Sequence, residues 1–245
     1  MDQKIALVTN ATGYAGPGAV MGLLSAGMFV VCSDPTFGDP ARAADFVQGR
    51  ADAFPVGTTE PSSLIAQVIE KFGRIDALVS NDIIQSPFRP IDGSTPADLR
   101  EMLEVGVVYP FELTQALLPH MMTRGSGSII FITSISARYP MAEVAIYGAA
   151  RAAATANAIS LGQAVGPSNI QVNVIGPHWM ESTNYFPEGW ESLMPSFKAK
   201  LDSEIPLRRL GRPDEIGALI ALLASQKAMP LTGQFISFAG GAYPC

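Results

Sequence analysis

"IALVTNATGYAGPGAVMGLLSAGMFVVCSD", residues 5–34, sets an apolar run, a glycine-bearing turn, a helix-length segment and a second apolar run end to end. Neither run, Ile5–Thr9 nor Met28–Asp34, alternates polar with apolar residues. Unbroken apolar strands are buried on both faces, the condition of a parallel sheet covered by helices. Gly27 supplies a stop for the intervening helix. The same alternation continues down the chain. "PSSLIAQVIEKFG" reads as a helix with Ser62 or Ser63 near its cap, and Ile75–Asn81 as a strand. Ser94–Arg124 is mostly helical, kinked or divided at Pro110. Gly127–Ser134 is a strand, Tyr147–Gly162 a long helix and Ile170–Gly176 a strand. "PDEIGALIALLAS" is a helix with Pro213 in its first turn, and "GQFISFAGG" the last strand. Strand and helix repeated in this way predict an α/β protein: a doubly wound parallel sheet flanked by helices, in a single domain over residues 1–245. His178–Pro206 reads as one long irregular excursion, and loops of that length are usually functional. Ligands of such sheets sit beyond the carboxyl ends of the strands, where Ser134 falls.

The chain has 245 residues, 48% of them hydrophobic, enough for a sizeable core. A formal net charge of −6 speaks against nucleic acid and anionic membrane as partners, since both need a basic footprint. No apolar run approaches the roughly 20 residues of a membrane helix, and the first strand is too short for a signal segment. Cys32 reads as a buried small hydrophobe and Cys245 as a mobile terminal residue. Together they make no disulfide framework, so a reducing, cytoplasmic setting is expected. The histidines are His120 and His178 alone, and no Cys/His cluster has ligand spacing, so no metal is expected. A Gly-x-Ser-x-Gly elbow is absent, which argues against a serine hydrolase. Glu101, Glu104 and Glu112 read as a solvent-facing set.

Within "SISARYPMAEVAIYGAAR", residues 134–151, stand Ser134, Tyr147 and Arg151. Tyr147 and Arg151 are four apart on one helix and share a face. Small residues around them allow a close neighbour, and Ser134 reaches the same crevice from a strand end. A free phenol, with a pKa of about 10, is a poor base at neutral pH, and a nearby guanidinium favours its phenolate. A serine hydroxyl that binds an alcohol oxygen aims that alcohol's proton at the phenolate. The expected catalytic set is Ser134, Tyr147 and Arg151.

This layout resembles the short-chain dehydrogenase/reductase fold, a Rossmann-like architecture, over nearly the whole chain. That family's mark is Tyr-x-x-x-Lys with an upstream Ser, and here Arg151 replaces the lysine. An arginine assists the tyrosine but is no neutral replacement for the lysine that holds a nicotinamide ribose. The family's first turn, Thr-Gly-x-x-x-Gly-x-Gly, reads "TNATGYAGPG": Asn10 and Tyr14 stand at the first two glycine positions and Gly16 at the third. Sliding the register to Gly13, Gly16 and Gly18 gives the wrong spacing. Asp34 stands where an NAD ribose partner would be, yet reads better as a strand-end turn residue before Pro35. Asn-Asn-Ala-Gly becomes Ser80-Asn81-Asp82-Ile83. Gly106 takes the place of the helix asparagine, and Pro-Gly becomes Gly176-Pro177-His178-Trp179.

Those departures resemble one subfamily, the halohydrin dehalogenases. The resemblance implies cofactor-independent loss of halide from vicinal haloalcohols, giving epoxides. It also implies the reverse ring opening by halide, azide, cyanide or nitrite. A halide and substrate site is then expected at Tyr14, Pro177, His178, Trp179, Met180, Tyr185 and Phe186, with His178 itself read as an exposed loop histidine. The loop's backbone N–H groups and aromatic edges would receive the halide. The expected partners are a haloalcohol or epoxide, a halide ion and, in a homotetramer, further copies of the chain. Substrate size would depend on Phe88, Ser136–Met141 and Trp179–Trp190. The alternative is an NAD(P)-dependent alcohol dehydrogenase of the same fold.

Overall fold

The strands Ile5–Thr9 (β1), Phe29–Ser33 (β2), Ala53–Val56 (β3), Ala77–Ser80 (β4), Gly127–Ile132 (β5), Ile170–Pro177 (β6) and Phe235–Phe238 (β7) form one parallel sheet. Their spatial order is β3-β2-β1-β4-β5-β6-β7, so the winding reverses between β1 and β4. The computed structural model describes residues 3–83, 91–182, 185–186, 194–228 and 230–243. Phe88, Trp190 and Cys245 lie outside the described residues.

Alternate residues of each strand feed opposite layers. Ala6, Val8, Val30, Cys32, Val79 and Ile130 pack under helices Gly16–Ser25 (α1) and Pro213–Ala224 (α8). Ile5, Leu7, Val31, Leu78 and Ile129 pack under Pro61–Phe72 (α3), Tyr109–Arg124 (α5) and Ala145–Val165 (α6). A buried aliphatic side chain of this kind contributes roughly 1.5–3 kcal/mol over an exposed one. Cys32 belongs to this core, and burial pushes its thiol up to about 12. Helices α1 and α8 touch backbone to backbone: a Cβ on Gly22 would lie 2.2 Å from the Gly217 carbonyl oxygen.

Pro40–Val47 (α2) and β3 were not legible in the sequence. β3 is a four-residue edge strand containing Pro55, and an edge position tolerates a residue with no ladder donor. The excursion His178–Pro206 is not irregular throughout. It contains a helix, Pro195–Glu204 (α7), seated through the buried Leu201 with Ile205 just beyond its end. The cap of α3 is Glu60, whose carboxylate accepts the N–H groups of Ser62 and Ser63.

The segment through Pro110 is divided as its proline implies. Pro96–Leu103 (α4) runs into a π-helical turn, Glu104–Val108, before α5 begins. Pro110 has no N–H for the carbonyl of Gly106, four residues back, and the turn before it widens. Glu101, Glu104 and Glu112 are exposed.

Candidate active site

β5 delivers Ser134 to the carboxyl end of the sheet. Its backbone is extended and it caps a short turn, Ile135–Ala137. The Ser134 hydroxyl oxygen accepts the Ser136 N–H at 3.1 Å and the Ser136 O–H at 3.0 Å. Its own proton is thereby left to donate. Tyr147 comes from the first turn of α6 and is half-buried, while Arg151 one turn on is buried. The Arg151 guanidinium carbon lies 5.3 Å from the Tyr147 ring centroid. Nη1 and Nη2 of Arg151 both donate to the carbonyl oxygen of Asp82, at 3.1 Å. Gly106, in the π-helical turn, makes room for this arginine: a Cβ there would lie 2.9 Å from Arg151 Nη2.

Asp82 follows β4 and is buried. Its carboxylate accepts hydroxyl protons from Thr9 at 2.8 Å and Ser80 at 2.7 Å. Burial pushes its carboxyl up to about 6, against the opposing effect of those hydroxyls and of the Arg151 charge. One short segment, Ser80–Asp82, therefore links the first turn to Arg151.

The first turn keeps a glycine-like backbone with side chains added. Asn10 and Tyr14 have φ of +46° and +42°, the left-handed region that glycine favours. Strain of this kind persists only where the surroundings fix it. Asn81 donates its amide to the carbonyls of Asn10 (3.0 Å) and Gly13 (2.8 Å), and Asn10 donates back to the Asn81 carbonyl. Asp34 is consumed by the same turn. One oxygen accepts the N–H and O–H of Thr12 and the other those of Thr36, at 2.7–3.0 Å. Burial raises its pKa, but the hydrogen bonds from Thr36 and Thr12 outweigh that and hold it below the usual value. The strand-end reading of Asp34 describes this arrangement. With that carboxylate spent and a tyrosine in the turn, the residues present do not fit a nicotinamide dinucleotide.

Beyond the strand ends lies a cavity of about 370 Å³. Ser134 and Tyr147 line one side. Tyr14, His178, Trp179, Met180, Tyr185 and Phe186 line the other, with Met194, Phe197 and Lys200 from the α7 region. Tyr14 meets Tyr185 edge to face, with ring centroids 5.9 Å apart, and its hydroxyl donates to the His178 carbonyl oxygen at 3.4 Å. Burial first, then the neighbouring Tyr147 and Tyr185, hold the Tyr14 phenol well above the ordinary value, so it stays neutral. The His178 N–H is spent on the Phe238 carbonyl. The N–H groups of Trp179 and Met180 make no hydrogen bond among the described residues.

Two expected site residues stand elsewhere. Pro177 ends β6 opposite Phe238 and is not in the cavity wall. Arg151 stands behind Tyr147, reaching the cavity through that ring. His178 is no exposed loop residue: it is 8% exposed, covered through its stacking on Trp179 and the edge of Tyr243.

Residues 18–243 match the family model described as Enoyl-(Acyl carrier protein) reductase. The 7alpha-hydroxysteroid dehydrogenase of Escherichia coli strain K12 is 31% identical over 98% of this chain and 94% of its own length. The chain belongs to the short-chain dehydrogenase/reductase family. Among solved structures, a protein described as a dehalogenation enzyme is 35% identical, with a TM-score of 0.93 over 98% of each chain. A halohydrin dehalogenase bound to ethyl (2S)-oxiran-2-ylacetate is 36% identical, with a TM-score of 0.93 over 98% of this chain and 97% of that one.

As a short-chain dehydrogenase/reductase family member, the chain shares its sheet with oxidoreductases and with dehalogenases alike, so the site must decide between them. Among the described residues no group of three or more His, Cys, Asp or Glu side chains is placed to hold a metal ion. None of the described helices is long and apolar enough to cross a membrane. Four contributors to the site escaped the sequence reading as individual residues. Ser136, two after Ser134, carried the signal of an ordinary Ser-x-Ser turn. The Asp82 carbonyl left no signal, because any residue supplies one. Lys200 and Phe197 were hidden in the stretch read as loop.

Proposed function

We propose that this protein is a halohydrin dehalogenase, a lyase that converts a vicinal haloalcohol into an epoxide, a proton and a halide ion. The observation that carries the reading is the pairing of Ser134 and Tyr147 with a tyrosine-bearing first turn around one cavity, above a spent Asp34. Ser134 donates its free hydroxyl proton to the substrate oxygen. Tyr147 is the base that takes the substrate's hydroxyl proton, with the buried Arg151 guanidinium beside its ring. The alkoxide attacks the neighbouring carbon from the side opposite the halide, forming the C–O bond as the C–halogen bond breaks. Nucleophile and electrophile are already tethered, so the protein's work is orientation and charge placement. The halide leaves into the wall of Tyr14, Trp179, Met180, Tyr185 and Phe186, toward the N–H groups of Trp179 and Met180, which make no hydrogen bond among the described residues. No hydride moves and no nicotinamide takes part.

Reversal opens an epoxide with a small anion, Tyr147 returning the proton. Halide, azide, cyanide and nitrite are the anions proposed. The exposed Phe111 and Met122 of α5, with Val108 in the π-helical turn just before it, support burial against further copies of the chain, as a homotetramer. The test is incubation with a vicinal bromoalcohol and no dinucleotide. The expected result is one bromide and one epoxide per alcohol consumed. No bromide release, with NAD(P)-dependent oxidation of alcohols instead, contradicts the reading.

A further inference from the structure

The cavity wall is mostly rings and aliphatic side chains. Among its described lining residues Glu143 and Lys200 carry a formal charge, and Lys200 is the positive one. Glu143 lies in the short turn Ala142–Val144, four residues before Tyr147. Lys200 comes from the middle of α7. Its ammonium is 5.4 Å from the Trp179 ring centroid, within reach of a cation–π contact. Trp179 belongs to the proposed halide wall. The Lys200 side chain is 52% exposed, so it stands where that wall meets solvent. The Glu204 carboxylate, one turn on, lies 3.9 Å from the ammonium. An exposed pair at that distance is weak and leaves the ammonium able to attract a second anion. The charge is felt inside the wall: burial first, and then Lys200, push the His178 imidazole down to about 4. The chain as a whole carries −6, so a small anion approaches against the net charge unless a local cation offsets it.

We propose that Lys200 sets the anion affinity of the site, drawing halide, azide and nitrite to the Trp179 wall by its charge and taking no part in holding the epoxide or alcohol. An anion seated against the Trp179 ring shares that ring with the ammonium. The two charges are then no more than about 10 Å apart, one Debye length at 0.1 M salt. Attraction across such a gap, partly screened by water, changes affinity about two- to fivefold. The epoxide and the alcohol are neutral and gain nothing from it. This inference rests on the dehalogenase reading of the cavity.

The test uses two variants of this exposed residue. Lys200→Met removes the charge and keeps a chain over Trp179, while Lys200→Arg keeps both. Calorimetry gives Kd for sodium bromide without turnover. Opening of a terminal epoxide with sodium azide gives separate KM values for azide and for epoxide. In Lys200→Met, the bromide Kd and the azide KM are both expected to rise about two- to fivefold, with the epoxide KM within about twofold of wild type. Lys200→Arg is expected to stay close to wild type in all three. Unchanged anion constants in Lys200→Met overturn the proposal. So does an equal loss in Lys200→Arg, or a matching rise in the epoxide KM, since either marks packing rather than charge. Wild-type protein that opens no epoxide and releases no halide removes the dehalogenase reading, and the bromide constants then judge Lys200 alone. Wild-type protein that binds no bromide overturns both.

Discussion

The wall carrying Ser134 and Tyr147, with Arg151 behind it, and the wall carrying Tyr14, His178, Trp179 and Phe197 enclose one cavity, but different forces hold them. Hydrogen bonds fix the first. Ser136 sets Ser134, Asp82 sets Arg151, and Thr9 and Ser80 set Asp82. Rings fix the second. Tyr14 meets Tyr185, His178 stacks on Trp179, and Phe197 packs against Trp179 and Phe186. A proton-transfer site needs donors and acceptors at set distances. A site for a large, weakly hydrogen-bonded ion needs apolar bulk with a few N–H groups. The contrast is the division of labour that the proposed reaction requires.

The sharpest break falls on the hydrogen-bonded wall. Tyr147→Phe keeps the ring under Arg151 and removes the proton acceptor. Halide release from a vicinal bromoalcohol is expected to fall about 10²- to 10⁴-fold, the range of general base catalysis. Retained release removes Tyr147 as the base.

The two walls also carry buried groups with opposite pH dependence. The folded-state value of Asp82, about 6, lies above the ordinary 3.8. The folded protein therefore binds its proton more tightly, and this group adds stability as pH falls through 6 toward 4. His178, pushed down to about 4 from 6.5, does the reverse. Its contribution is present above 6.5 and is lost as pH falls toward 4. Each amounts to at most roughly 3 kcal/mol at about 1.4 kcal/mol per unit. Denaturant titrations between pH 8 and pH 4.5 should show Asp82→Asn more acid-labile than wild type and His178→Gln less so. Parallel profiles for all three proteins would show that neither group is buried as described.

Smaller effects test how the hydrogen-bonded wall is positioned. Gly106→Asn places a side chain where Arg151 Nη2 lies. We expect kcat to fall roughly 10- to 100-fold with KM within about twofold, since an ångström of misplacement in such a set costs on this order. An unchanged kcat means that Arg151 moves aside at no cost to catalysis. Ser136→Ala frees the Ser134 hydroxyl to rotate, and a loss of about three- to tenfold in kcat/KM is expected from one neutral hydrogen bond. Recovery in Ser136→Thr ties the effect to the hydroxyl, and no loss shows that Ser134 is oriented without Ser136.

The hydrogen-bonded wall was largely legible in the sequence and the ring wall only in part. Tyr147 and Arg151 are one helical turn apart, so local geometry alone puts them together. The strands that carry Ser134 and Tyr14 announced themselves as unbroken apolar runs. By contrast, the bond from Arg151 to the Asp82 carbonyl spans 69 residues and uses main chain, which has no sequence signature. His178 read as exposed because its cover comes from elsewhere: Tyr243 near the end of the chain and the aromatic cluster that α7 joins. That helix was concealed by the prolines and aromatic residues around it. β3 was missed for a related reason, being short, at an edge and interrupted by Pro55.

On the dehalogenase reading, the space at the strand ends takes an anion rather than a nicotinamide, because Tyr14 fills the first turn and Asp34 is already bonded to Thr12 and Thr36. Calorimetric titration with NADH, NADPH and sodium bromide tests it most directly. Saturable heat is expected from bromide and none from either dinucleotide. Micromolar binding of NADH or NADPH would contradict it.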